Sequence, residues 1–154
     1  MMRQLLIIAH TPSANTQQLA NAVLRGATHP DISQVYSRCL TPLQTQPEDL
    51  LKSDAVILGT TENFGTMAGL IKDVFDRCYY PCLEKTQGLP CALYIRAGLD
   101  GQGTDQAIRR IVTGLKWKWV QPTLLLKGPW QAEFVTSAET LGQSMAAGLE
   151  TGIF

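Results

Sequence analysis

The sequence has no excess of either charge: 13 Lys and Arg stand against 13 Asp and Glu. It therefore offers no strong single-sign field to hold nucleic-acid phosphates or to steer a highly charged partner, and a small ligand is favoured. Long apolar runs are missing too. The run nearest the N-terminus, residues 5–9 (LLIIA), is closed by His10, Thr11 and Pro12, too short for a signal-peptide core or a membrane span, and no other stretch approaches membrane length. Cysteine is scarce, with four residues at 39, 78, 82 and 91. A chain of this size without a secretion signal needs no disulfide framework, so all four read as reduced thiols of a cytoplasmic protein. Cys78 and Cys82 lack a second Cys or His pair at ligand spacing, which sets a zinc site aside in favour of small buried hydrophobes. Repeats, low-complexity tracts and linkers are also absent. What is present, 154 residues of which 45% are apolar and 17% charged, makes one globular domain over 1–154 and excludes disorder and collagen-like fibres.

Short apolar runs alternate with longer amphipathic ones, the pattern of a parallel sheet covered by helices on both faces. Five strands are expected, at 3–9, 33–39, 55–59, 91–96 and 123–126. The first and third are almost wholly apolar and belong at the centre; the second is more polar and belongs at an edge. Helices are expected over 15–25, 47–53, 67–79, from near Thr104, and from Ser137 onward. Met67, Leu70, Ile71, Val74, Phe75 and Cys78 share one face of the third, and Ile108, Ile111, Val112, Leu115 and Trp119 form the core stripe of the fourth. On that fourth helix Arg109, Arg110 and Lys116 make a solvated face.

In such a sheet ligands sit at the carboxyl ends of the strands, so three loops there draw interest. The first, residues 10–16 (HTPSANT), leads into a helix. Outward-facing N–H groups and the helix dipole, with the hydroxyls of Thr11, Ser13 and Thr16, suit a phosphate monoester without any Lys or Arg. The plainer alternative is that Ser13 or Asn15 only caps the helix. The second loop, residues 59–69 (GTTENFGTMAG), puts Phe64 between Asn63 and Gly65, a planar face for a flat aromatic ligand unless the ring folds back beside Met67. The third, residues 96–104 (RAGLDGQGT), has three glycines in the order G-x-x-G-x-G after the fourth strand. The dinucleotide fingerprint G-x-G-x-x-G after the first strand is absent.

Thr11, Ser13, Ala14, Asn15 and Thr16 resemble the phosphate-binding loop of the flavodoxin superfamily: a hydroxyl residue, any residue, a hydroxyl residue, a small residue, then Asn-Thr. Two departures are Pro12, which has no N–H to donate, and Ala14, where glycine is commoner. The second loop is similar to the flavin-ring loop of the NAD(P)H:quinone oxidoreductase and NADPH-dependent FMN reductase branches, in which an aromatic-Gly-x-Met-small run precedes a helix. The resemblance spans nearly the whole chain. It implies a three-layer flavodoxin-like fold with five parallel strands in the order 2-1-3-4-5 and a noncovalent FMN. The cofactor, rather than a catalytic side chain or a metal, then carries the chemistry. The implied cofactor-binding residues are Thr11, Ser13, Ala14, Asn15, Thr16, Thr60, Thr61, Glu62, Asn63, Phe64, Gly65, Arg96, Ala97, Gly98 and Gly103. Arg96 faces the flavin, attracts the phosphate of NADPH, or is a plain surface arginine.

Three functional classes remain open. An oxidoreductase admits NAD(P)H and then a quinone or similar flat acceptor; an electron carrier docks on a redox partner protein; a domain without cofactor only binds partners. Carriers of this kind are usually strongly acidic, and the neutral charge here favours the oxidoreductase. In the resembled reductases a second subunit commonly closes the flavin crevice, which keeps a homo-oligomer open.

Overall fold

The computed structural model describes residues 2–154. Its elements run β1 (Arg3–Ala9), α1 (Ala14–Ala27), β2 (Val35–Leu40), α2 (Pro47–Leu51), β3 (Ala55–Asn63), β4 (Thr66–Met67), α3 (Gly69–Cys82), β5 (Pro90–Ala97), α4 (Gln102–Leu115), β6 (Lys118–Trp119), β7 (Leu124–Lys127) and α5 (Ala132–Thr151). The sheet order is β2-β1-β3-β5-β6, with β7 also pairing β5 and β4 pairing β3. The α/β flavodoxin-like architecture is as expected, with two strands more than expected. The anticipated fourth and fifth strands are β5 and β7, parallel neighbours with Tyr94 opposite Leu124. The short β6 shares that far edge, pairing the start of β5.

The central strands are apolar on both faces because both faces are covered. Leu5, Ile7, Ala55, Ile57, Ala92 and Tyr94 pack under α1 and α5. Leu6, Ile8, Val56, Leu58, Leu93 and Ile95 pack under α3 and α4. The α1–α5 contact depends on two glycines. A side chain at Gly26 would meet the Glu139 carbonyl, and one at Gly142 would meet the Val23 carbonyl, so the two backbones touch without intervening side chains.

Other expectations need correction. Trp119 is not on the fourth helix: Lys116 ends α4 in the left-handed region (φ 60), and Trp119 lies in β6 beneath the Arg109 guanidinium, 4.3 Å from the ring centroid. The third helix starts at Gly69, because Met67 is drawn into β4. The last helix begins at Ala132, one turn before Ser137. Of the described residues, no helix is long and apolar enough to cross a membrane.

Candidate functional site

The carboxyl ends of β1, β3 and β5 lie side by side, so their loops share one edge of the sheet. After β1, the chain turns into α1 through Ser13, an extended N-cap (φ −141, ψ 166). Ser13 and Thr16 bond reciprocally: the Thr16 N–H donates to Ser13 Oγ at 3.2 Å, and the Ser13 N–H donates to Thr16 Oγ1 at 2.9 Å. The Thr16 hydroxyl donates in turn to the Ser13 carbonyl at 3.0 Å, and Thr16 is buried. Both hydroxyls therefore complete the helix start, as the plainer sequence alternative had it. The N–H groups of Thr11, Ala14 and Asn15 find no acceptor among the described residues. The first turn carries no acidic side chain, so the helix dipole is uncompensated there.

His10 leaves β1 with its N–H on the Gly59 carbonyl at 2.9 Å. Its ring lines a cleft of about 300 Å³ with Thr11, Pro12, Pro42, Leu43 and Leu70. Partial burial lowers the imidazole pKa from its ordinary value, which favours the uncharged ring. The cofactor-binding residues named from sequence omitted His10, although it opens the loop motif.

Beyond β3 the expected open loop is a hairpin. Thr60, Thr61, Glu62 and Asn63 continue the strand, and β4 pairs back on it antiparallel, Glu62 with Met67. Thr60 is buried and its hydroxyl oxygen accepts the Ala68 N–H at 3.1 Å, while the Thr61 hydroxyl donates to Asn63 Oδ1 at 2.8 Å. The two turn residues, Phe64 and Gly65, have φ of 52° and 78°. Positive φ at both is the turn whose twist matches a two-residue hairpin, and it normally selects Asn-Gly. Phenylalanine holds that conformation at a cost of about 1–2 kcal/mol. Its ring does not fold back beside Met67; it is 106% exposed. The hairpin thus places a strained turn with an uncovered aromatic ring at the sheet edge.

Glu62 ties the second loop to the third. Its carboxylate accepts the N–H of Leu99 at 2.8 Å and of Gly101 at 2.9 Å, so these amides of the β5–α4 loop are already occupied. Gly103 serves the same brace, since a side chain there would meet the Gly65 carbonyl. Gly98 and Gly65, by contrast, have open space where a side chain would be. Ala97 is buried, and its carbonyl accepts the Gly128 N–H at 3.0 Å.

Arg96, near the carboxyl end of β5, lies on the α1–α5 face of the sheet. It follows Ala92 and Tyr94 there, donates from Nη1 to the Ala97 and Leu126 carbonyls at 3.0 Å each, and lies 5.0 Å from the Phe134 ring centroid. A plain surface position does not describe it, since carbonyls and aromatic rings hold the guanidinium. Tyr79 and Tyr80 sit near the C-terminal end of α3, at the opposite end of that helix from the hairpin.

No protein-family model and no curated protein matches this sequence. Solved structures match its fold. A flavodoxin from the domain Archaea superposes with a TM-score of 0.80 at 16% identity, over 95% of this chain and 98% of that one. A WrbA-like flavodoxin from Agrobacterium tumefaciens gives 0.71 at 15% identity, over 98% and 99% of the two chains. Rubredoxin oxygen:oxidoreductase from Desulfovibrio gigas gives 0.78 at 11% identity, over 97% of this chain but 37% of that protein.

Proposed function

We propose that this chain, which has the flavodoxin-like fold, is an FMN-binding flavoprotein that takes electrons from NAD(P)H and passes them to a quinone or similar flat acceptor. The observation that carries the flavin assignment is the pairing, on one edge, of unfilled N–H groups at the start of α1 with the uncovered Phe64 ring. The residues present suit FMN. The Thr11, Ala14 and Asn15 amides are unpaired donors for a phosphate, and Phe64 offers a stacking face. Pro12 has no N–H to donate, and the hydroxyls of Ser13 and Thr16, which the sequence pattern had counted, are committed within the loop.

Bound FMN would supply hydride acceptance and electron release; the polypeptide positions it. The α1 amides hold the anionic end, His10 lines the cleft beside them, and Glu62 fixes the β5–α4 loop against the hairpin so that the Gly98 backbone stays exposed. The neutral net charge supports a small-molecule donor and acceptor over a carrier steered to a protein partner. Mixing FMN-loaded protein anaerobically with NADPH is expected to bleach the visible flavin absorbance, and a soluble quinone to restore it. A flavin that stays oxidised until a separate reductase is added would make the protein an electron carrier. Failure to take up FMN would leave only partner binding.

Phe64 gives a second test, because the turn and the ligand want different residues. Phe64→Asn is expected to raise stability by about 1 kcal/mol in denaturant unfolding, by relieving the left-handed strain. The same change should weaken FMN and riboflavin equally, by on the order of 1 kcal/mol, through loss of the ring. Unchanged flavin affinity would remove Phe64 from the site.

A further inference from the structure

With Arg96 sequestered, the cation available to a phosphorylated co-substrate lies elsewhere. Arg3, Arg25, Arg38, Arg77 and Arg109 are each within reach of a carboxylate. Arg96 is held by carbonyls and aromatic rings. Arg110 alone among the arginines has no acidic, carbonyl or aromatic partner among the described residues, and it is exposed.

Arg110 lines a cleft of about 490 Å³ between α3 and α4. The cleft opens at Thr66, one residue past the hairpin turn, where Gly69 presents bare backbone with open space beside it. It continues along α3 into a second hollow of about 220 Å³ that shares Lys72 and Ile111 and ends at Tyr79 and Tyr80. Tyr80 is 79% exposed and is braced edge-on by Tyr79 at 5.3 Å. From Gly69 to Tyr80 the helix advances roughly 16 Å. Asp76 also lines the groove, but Lys72 Nζ pairs with it at 2.7 Å, so Arg110 leaves the groove with one uncompensated positive charge.

A cationic midsection, an exposed aromatic ring at one end and the Phe64 hairpin at the other match a ligand with a base, a pyrophosphate and a second ring in line. We propose that the α3–α4 groove binds the adenosine diphosphate portion of the nicotinamide dinucleotide. Arg110 meets the pyrophosphate, the adenine stacks on Tyr80, and the nicotinamide is directed toward the hairpin. The assignment of this occupant rests on the oxidoreductase function proposed above.

ADP itself is the probe, titrated into isotope-labelled protein with and without FMN. Amide shifts are expected at Gly69, Lys72, Tyr80 and Arg110. Arg110→Gln should weaken ADP about tenfold and raise KM for NADPH by a similar factor, with kcat and FMN affinity unchanged. Tyr80→Ala should weaken ADP without altering FMN uptake. ADP shifts confined to the α1 start, or ADP affinity indifferent to Arg110→Gln, would overturn the groove. Groove shifts that track protein concentration rather than ADP would overturn it too, making this face a contact between copies of the chain. If FMN fails to bind while ADP still shifts the groove residues, the oxidoreductase function falls and the nucleotide site stands.

Discussion

Ala14→Asp is expected to stabilise the fold while largely abolishing FMN binding. Ala14 is the exposed first residue of α1, and that first turn contains no acidic side chain. A carboxylate there complements the helix dipole and should add about 0.5 kcal/mol to unfolding stability. The same charge stands beside the amides assigned to the phosphate. Repulsion of a dianion about 5 Å away, at an effective dielectric of about 20, comes to about 7 kcal/mol by Coulomb's law; even if solvent screens half of it, the loss in affinity exceeds roughly a hundredfold. Riboflavin, which lacks the phosphate, should bind the variant as it binds the parent protein. Opposite signs for stability and FMN affinity separate a binding role for this loop from a merely structural one. Equal losses of FMN and riboflavin would place the phosphate elsewhere.

Gly142→Ala should produce a large stability loss for a single methyl addition on the α1–α5 face. Its Cβ would be 3.1 Å from the Ala27 nitrogen and far closer to the Val23 carbonyl, which is backbone and has no rotamer with which to retreat. The helices must separate, at a cost of about 3 kcal/mol read from denaturant midpoints. Because the first turn of α1 carries the amides proposed to hold the phosphate, the shift should also weaken FMN more than riboflavin. A loss below about 1 kcal/mol would show that α5 can slide without cost, and that the glycines do not set the α1 position.

Much of the layered fold is legible from residue periodicity. Continuous apolar runs at β1 and β3 mark strands buried on both faces, and the polar alternation of β2 marks an edge, as it proves to be. The hairpin after β3 is less readable, because Thr-Thr-Glu-Asn-Phe-Gly has no apolar alternation and the left-handed turn is filled by Phe64 where asparagine would have announced it. Trp119 continues a helical stripe numerically, yet the left-handed Lys116 breaks the helix without a glycine to signal it.

At the candidate site, sequence locates the loops but not the bonding inside them. Ser13 and Thr16 are spaced as both phosphate donors and a capping pair, and only coordinates decide that they bond each other. Glu62 acts across 37 residues on Leu99, a relation without a local trace. Arg96 was accessible to simple parity: Tyr94 is a large side chain of the α1–α5 face, and strand alternation puts Arg96 on that face with it. The availability of Arg110 emerges only once the partners of the other arginines are known.

The most direct test is calorimetric titration of the ligand-free protein with FMN and with riboflavin under the same conditions. A phosphate seated on the α1 amides requires FMN to bind at least tenfold more tightly, with the preference lost in Ala14→Asp. Equal affinity for the two ligands, or binding of neither, would contradict it.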